Sequence, residues 1–289
     1  MTLITDSDAL AAFCREVATA PYVTVDTEFL RERTYYPELC LIQIARPGGG
    51  EDAAVVIDAL APGIDLSPFY ELLGDPDVVK VFHAARQDLE IFWLRAGVIP
   101  SPFFDTQVAA MVCGYGDQVG YDTLVRQIVR ASVDKSSRFT DWSRRPLSPA
   151  QLAYALADVT HLRVIYERLS AQLRKNGREA WVEEELAVLT NPETYRTDPA
   201  DAWQRLKFRS GAPRFIAAVR ELARFREETA QKRNVPRNRI LKDDALLELA
   251  AARPTSIEDL GSSRLLQREA RRGEIAEGIL GAIRAAEAV

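Results

Sequence analysis

Three cysteines in 289 residues, Cys14, Cys40 and Cys113, are too few and too scattered to staple a fold. Their odd number and wide spacing exclude a disulfide framework, so the thiols are expected to be reduced and packed. No apolar run approaches the length of a membrane-spanning helix, and no membrane association is expected. The opening MTLITDSDALAAF carries acids where an export signal would be positive, which predicts a cytoplasmic protein. Internal repeats and low-complexity tracts are absent too. What is left is ordinary: 47% hydrophobic and 27% charged residues, the composition of a globular chain rather than a disordered one. Its length suits a well-buried core and two domains.

Charge is the first departure from the ordinary. The net charge is −5, yet residues 201–289 hold 18 Lys/Arg against 13 Asp/Glu. Within 205–242 there are 12 basic residues and three acids. Arg205, Lys207, Arg209, Arg214, Arg220, Arg224, Arg226, Lys232, Arg233, Arg237 and Arg239 make up most of that run. An acidic N-terminal body followed by a basic helical module suits a metal-binding enzyme joined to a polyanion-binding domain. A solvated helix surface, or a module that only braces its neighbour, accounts for the charge equally well.

The first 165 or so residues alternate strand and helix patterns, as a mixed α/β domain does. Tyr22–Glu28, Leu39–Ile44, Ala53–Ile57 and Val78–Phe82 read as strands, with a turn at Pro47-Gly48-Gly49-Gly50. Helical spacing runs from about Ala84 to Ala96 and recurs near Gln107, Tyr121 and Pro149. The order predicts a three-stranded meander extended by later strands and covered by helices. Ser148-Pro149-Ala150-Gln151 is a helix start, with a capping serine, proline in the first turn and glutamine at the third position. From Trp203 onward only helical patterns remain. The predicted divisions are 1–176, a helical linker over 177–212, and a small helical domain over 213–289.

Four acids stand out within this frame: Asp26, Glu28, Asp88 and Asp158. Strand alternation puts Asp26 and Glu28 on one face, while Tyr154 and Asp158, four apart, share a helix face. Asp88 falls near a helix start, where a structural cap is the plain reading. Each pair alone is weak. Four carboxylates converging on one point would repel one another unless cations sat among them. That is the arrangement expected of a two-metal site that cuts phosphodiester bonds.

The residues around these acids resemble a known family. VDTEFLRERTYYPELCLIQIA, VFHAARQDLEIF and DKSSRFTDWSRRPLSPAQLAYALADVTHL are similar, in that order, to the three motifs of ribonuclease D, in the tyrosine-containing subgroup of the DEDD exonucleases. WQRLKFRSGAPRFIAAVRELARFREETAQKRNVPRNRIL resembles the HRDC helical domain that follows them. The resemblance implies an α/β fold: an RNase H-like exonuclease domain, a mixed sheet flanked by helices, followed by an all-helical HRDC-like domain.

It also implies 3′→5′ hydrolysis of RNA to nucleoside 5′-monophosphates, with tRNA precursors or other structured RNAs carrying an accessible 3′ end as partners and no obligate protein partner. Two divalent cations, Mg²⁺ or Mn²⁺, are implied. Asp26, Glu28 and Asp158 would hold the first, and Asp26 would bridge to a second supported by Asp88. Tyr154 would position the nucleophilic water. Phe29, His83 and Lys135 are candidates for substrate contact, each with a structural alternative; His161 is expected to be structural. Family members typically carry two HRDC-like domains and this chain has room for one, so it is a short form or a piece of a longer protein. A proofreading-type DNA exonuclease shares the same acids and tyrosine, and a non-catalytic nucleic-acid-binding module shares the fold.

Overall fold

The computed structural model describes residues 2–49, 53–209 and 211–288, and the chain divides into two compact units. The first comprises the chain up to Leu30 together with Leu39–Tyr195. The second comprises Arg31–Glu38 and the chain from Arg196 onward. The stretch 177–212, expected as a linker, is therefore shared between them: residues up to Tyr195 go with the first unit and those from Arg196 with the second.

The first unit runs β1 (Thr2–Ile4), α1 (Ser7–Val17), β2 (Tyr22–Leu30), β3 (Glu38–Ala45), β4 (Ala54–Asp58), α2 (Ser67–Gly74), β5 (Val79–Phe82), α3 (Arg86–Ala96), β6 (Phe103–Asp105), α4 (Thr106–Val112), α5 (Tyr121–Leu124), α6 (Pro149–Asn176) and α7 (Glu179–Thr190). The sheet order is β1-β4-β3-β2-β5-β6. β3 is antiparallel to β4, whereas β1 runs parallel to β4, and β2, β5 and β6 run parallel to one another. The expected mixed sheet is present, with β2, β3 and β4 side by side in chain order. Gly50, the last residue of the expected turn, lies outside the described residues. β1 and β6, three residues each, had no readable pattern in the sequence.

Strand alternation divides β2 between two cores. Val23 and Val25 face a cluster built with Leu10, Phe13, Phe69, Leu89 and Phe92 from α1, α2 and α3. Tyr22 turns the other way and packs with Val81 and with Leu162 of α6. Thr24 shares that second face and donates its hydroxyl to the Val159 carbonyl of α6 at 2.8 Å. β2 is thus covered by helices on both sides, and its far end is where polar residues begin. Cys14 and Cys40 are buried and Cys113 is partly buried, none of the three in a disulfide, as expected of packed thiols.

The second unit is helical: α8 (Pro213–Arg233), α9 (Arg237–Ile240), α10 (Asp243–Ala252), α11 (Ile257–Ser262) and α12 (Gly273–Glu287). Val219 and Leu222 of α8 pack with Leu246, Leu249, Ile279 and Ile283. Tyr35, from the loop that leaves β2, is part of this unit; its ring packs on that core and its hydroxyl donates to the buried Glu227 carboxylate. None of the described helices is long and apolar enough to cross a membrane.

Candidate active site

The polar end of β2 and the middle of α6 build one acidic cluster. Asp26, Glu28 and Asp158 each offer a carboxylate oxygen, and these atoms lie within 4.8 Å of one another. Asp26 and Glu28 reach it because even-numbered residues of β2 face α6, the side on which Thr24 bonds to Val159. The donors are all hard oxygens, the set that suits Mg²⁺ or a similar divalent ion rather than a softer metal.

Burial and mutual repulsion mark these acids. Burial pushes Asp26 well above the usual carboxylate range, with the charges of Asp158, Asp88 and Glu28 adding to it. Burial likewise pushes Glu28 up to about 9, again with Asp158 and Asp88 adding. Asp158 rises to about 7 through burial, against the hydrogen bond from Tyr154 and the charge of Arg138. Carboxylates so placed hold protons or cations, and a divalent cation is the species that relieves all of them together.

Asp88 stands outside the three-acid set and is held differently. It is buried on the first turn of α3, and the hydroxyl of Thr27 donates to its Oδ1. Thr27 lies between the two strand acids but points to the opposite face, so β2 contributes to the three-acid cluster and also holds Asp88. Burial raises Asp88 to about 7 despite that hydrogen bond. The plain reading of Asp88 as a helix cap does not describe its surroundings. No side chain caps α3; the buried Asp105 accepts from the backbone N–H groups of Ala84 at 3.0 Å and Ala85 at 2.9 Å in the turn before it, and caps α4 by accepting from the Gln107 N–H at 2.7 Å.

α6 begins as its sequence predicts. Ser148 Oγ accepts from the Gln151 N–H at 3.2 Å, and Gln151 Oε1 accepts from the Ser148 N–H at 3.0 Å. One turn in, the Tyr154 hydroxyl is hydrogen-bonded to Asp158. Its phenol is raised above the ordinary range by burial and by the charges of Asp158, Glu28 and Asp26. Tyr154 therefore stays protonated near neutral pH, a state in which its hydroxyl can donate a hydrogen bond but cannot serve as a base. Tyr121 of α5, which the sequence did not single out, donates its hydroxyl to the carbonyls of Ala157 at 2.9 Å and Asp158 at 2.8 Å.

The comparisons with known proteins agree with this geometry. A family described as 3′-5′ exonuclease matches residues 1–174, and the HRDC domain family matches residues 216–283. A ribonuclease D of Jannaschia sp. (strain CCS1) is 64% identical over 280 residues, 97% of this chain and 72% of that protein. The chain belongs to the ribonuclease D family of 3′→5′ exoribonucleases. The crystal structure of Escherichia coli RNase D, an exoribonuclease involved in structured RNA processing, matches with a TM-score of 0.89 at 33% identity, over 100% of this chain and 75% of that one. Brucella melitensis NrnC, solved with bound Mg²⁺, matches with a TM-score of 0.56 at 27% identity, over 73% of this chain and all of that one.

The residues expected to touch substrate are placed less simply than the ribonuclease D acids. Phe29 is on the face of β2 opposite Asp26 and Glu28 and packs, partly buried, against the core beneath α3. His83 Nδ1 lies 2.9 Å from Thr106 Oγ1, and its ring packs at a tilt of 57° against that of Tyr121, centroids 5.5 Å apart. Burial lowers its pKa, so it is largely neutral at pH 7. Lys135 is paired with Asp122 at 2.9 Å. His161 is partly buried on α6 and likewise shifted down by burial.

Much of the basic run in the HRDC-like unit is internally committed. Arg226 is buried and reaches Asp243 at 2.6 Å, while Arg205 and Arg237 flank Glu227. Arg224 pairs with Glu221 and Glu228, and Lys232 and Arg233 pair with Glu274. Among the described residues Lys207, Arg209, Arg214 and Arg239 are exposed and make no ion pair.

Proposed function

We propose that this enzyme trims the 3′ ends of tRNA precursors or other structured RNAs one nucleotide at a time, releasing nucleoside 5′-monophosphates. The observation that carries the reading is the convergence of Asp26, Glu28 and Asp158 within 4.8 Å, with the Tyr154 hydroxyl on Asp158. Two divalent cations, Mg²⁺ or Mn²⁺, suit the all-oxygen donor set, Asp26, Glu28 and Asp158 holding one and Asp26 with Asp88 the other. Bound there, they would neutralise developing phosphate charge and lower the pKa of water. Tyr154 orients the attacking water from the side of Asp158, and Thr27 keeps Asp88 aimed at the site from α3.

The functional divisions we propose are the exonuclease domain over 1–176 and the HRDC-like domain over 213–289, joined through 177–212. The unpaired cations Lys207, Arg209, Arg214 and Arg239 would give the helical module a salt-sensitive, sequence-independent hold on RNA. The cytoplasm is the compartment in which the buried thiols of Cys14 and Cys40, neither in a disulfide, would stay reduced.

The test is digestion of a 3′-tailed RNA and a matched DNA in Mg²⁺, with wild type and Asp26→Asn. Wild type is expected to shorten the RNA stepwise and the DNA far more slowly. Asp26→Asn is expected to lose on the order of a thousandfold, the scale of metal-assisted charge stabilisation. Undiminished trimming by the variant removes the acidic cluster from the reaction; preference for the DNA turns the reading to a proofreading-type enzyme.

A further inference from the structure

The loop that leads into α6 is fixed at both ends. Ser137 is buried and its carbonyl accepts from Thr140 Oγ1 at 2.8 Å, while Gln151 of the α6 cap donates to the same Thr140 oxygen at 3.0 Å. Two residues further, Trp142 is buried with its ring 6.0 Å from that of Tyr154. Between these anchors stand Arg138 and Phe139, both exposed. Phe139 is 90% exposed, and the Arg138 guanidinium lies 5.3 Å from its ring centroid.

A lone exposed phenylalanine needs no explanation. This one carries a cation beside a site that must admit a polyanion past several carboxylates. Arg138 makes no ion pair among the described residues, in contrast to Lys135 on the same loop, which is committed to Asp122. Its loop is seated on the site through Trp142, three residues beyond Phe139, whose ring lies 6.0 Å from that of Tyr154. A guanidinium and a flat ring in contact match, in spacing and chemistry, one backbone phosphate and the base next to it.

We propose that Arg138 and Phe139 form a nucleotide grip at the rim of the acidic site, Arg138 pairing with a backbone phosphate of the RNA's terminal dinucleotide and Phe139 stacking on the adjoining unpaired base. The inference rests on the exoribonuclease reading and deepens it. The grip is indifferent to base identity, because every base has a stacking face. It requires an unpaired end, so trimming slows where the last unpaired nucleotides give way to duplex.

The experiment measures KM and kcat for trimming a single-stranded RNA in Mg²⁺, and binding of the same RNA by fluorescence anisotropy in Ca²⁺ across a salt series. Arg138→Gln is expected to weaken binding about tenfold and reduce the salt slope by about one, with Arg138→Lys recovering part of the loss. Phe139→Ala is expected to weaken binding roughly 5- to 150-fold, the range of one lost base stack, and Phe139→Tyr to stay near wild type. Mn²⁺ binding, followed by electron paramagnetic resonance, is expected to be unchanged in Phe139→Ala. If Arg138→Gln alters Mn²⁺ binding while RNA affinity and KM stay at wild-type values, Arg138 only balances the acids and the proposal is overturned. Wild-type RNA affinity in Phe139→Ala overturns it as well. Absence of RNA trimming by the wild-type enzyme is a different result and strikes the proposed function instead.

Discussion

The hydroxyl of Tyr121 lies 2.8 Å from the main-chain oxygen of Asp158, so the backbone of the acid that closes the cluster is held from α5. Thr24 holds the next carbonyl, that of Val159, from β2 at 2.8 Å. Both donors act on carbonyls in a helix, and together they fix the height and rotation of the turn that carries Asp158. Burial keeps the Tyr121 phenol protonated well beyond the ordinary range, so the donor persists at every working pH.

Tyr121→Phe removes that donor and nothing else. Stability is expected to fall by about 1 kcal/mol, one net hydrogen bond. Turnover is expected to fall about tenfold, because small misplacements of a reacting group are costly. Steady-state kinetics with a thermal unfolding curve separate the two effects. A variant with unaltered kcat takes Tyr121 out of the positioning set.

Tyr154→Phe tests a different role. Its hydroxyl touches Asp158 but belongs to no carboxylate, so its loss leaves the three-acid donor set intact. Single-turnover hydrolysis is expected to slow about a hundredfold, within the usual range for a positioned proton donor or orienting group. Mn²⁺ affinity, measured by calorimetry on the same protein, is expected to stay within about twofold. A large loss of Mn²⁺ affinity would make Tyr154 a scaffold for Asp158 rather than a partner of water.

What was legible in the sequence is what local chemistry decides. Alternation along Tyr22–Glu28 put Asp26 and Glu28 on one face, and the Ser148–Gln151 box marked the start of α6. The less legible features depend on partners far away in the chain. Thr27 meets Asp88 across 61 residues, and Tyr35 meets Glu227 across 192, which is why a loop leaving β2 belongs to the helical unit. Phe29 follows Glu28, which left substrate contact and core packing both open; the same alternation that groups the acids turns it to the other face, toward the core. The basic run left phosphate binding and a bracing surface equally open because only charge can be counted from sequence, whereas the partners Glu227, Asp243 and Glu274 are set by packing.

Arg145 ties the loop before α6 to the sheet. Its Nε and Nη2 donate to the two oxygens of the buried Asp58 at 2.7 and 2.6 Å, and its remaining donors reach the carbonyls of Trp142 and Cys40. Removing Arg145 leaves the largely buried Asp58 carboxylate without its counter-charge. Arg145→Ala is expected to cost about 3–5 kcal/mol in urea unfolding. Asp58→Asn combined with Arg145→Ala is expected to recover a good part of that loss. Additive losses in the double variant would show that the two side chains act independently.

Gly278 of α12 is required by its neighbour. A Cβ built there would lie 2.1 Å from Phe225 Cε2 and 2.4 Å from its Cζ, so the ring of α8 occupies the space a side chain needs. Helix propensity alone favours alanine by about 1 kcal/mol. Overpacking opposes it by about 1–3 kcal/mol. Gly278→Ala is expected to lower the unfolding midpoint of the protein, and pairing it with Phe225→Leu to restore it. An unchanged or raised midpoint in the single variant would mean the ring moves aside without cost.

Lys80 is fully buried, and its ammonium donates to the carbonyls of Asp75 at 2.5 Å and Ser101 at 2.6 Å. Burial pushes its pKa down to about 8, with Asp75 pulling the other way. In the unfolded chain the group titrates near its ordinary value of about 10.4. Below pH 8 both states hold the proton and the folded form bears the full burial penalty. Between the two values only the unfolded chain holds it, so raising pH favours the folded state. Wild-type stability relative to Lys80→Met is therefore expected to rise from pH 8 toward pH 10, by an amount on the order of 1–3 kcal/mol. The comparison cancels the thiols and phenols that titrate in the same range. Urea midpoints of both proteins at pH 7, 8, 9 and 10 give the difference directly; a flat or falling one would mean that the Lys80 amine keeps an ordinary pKa in the fold.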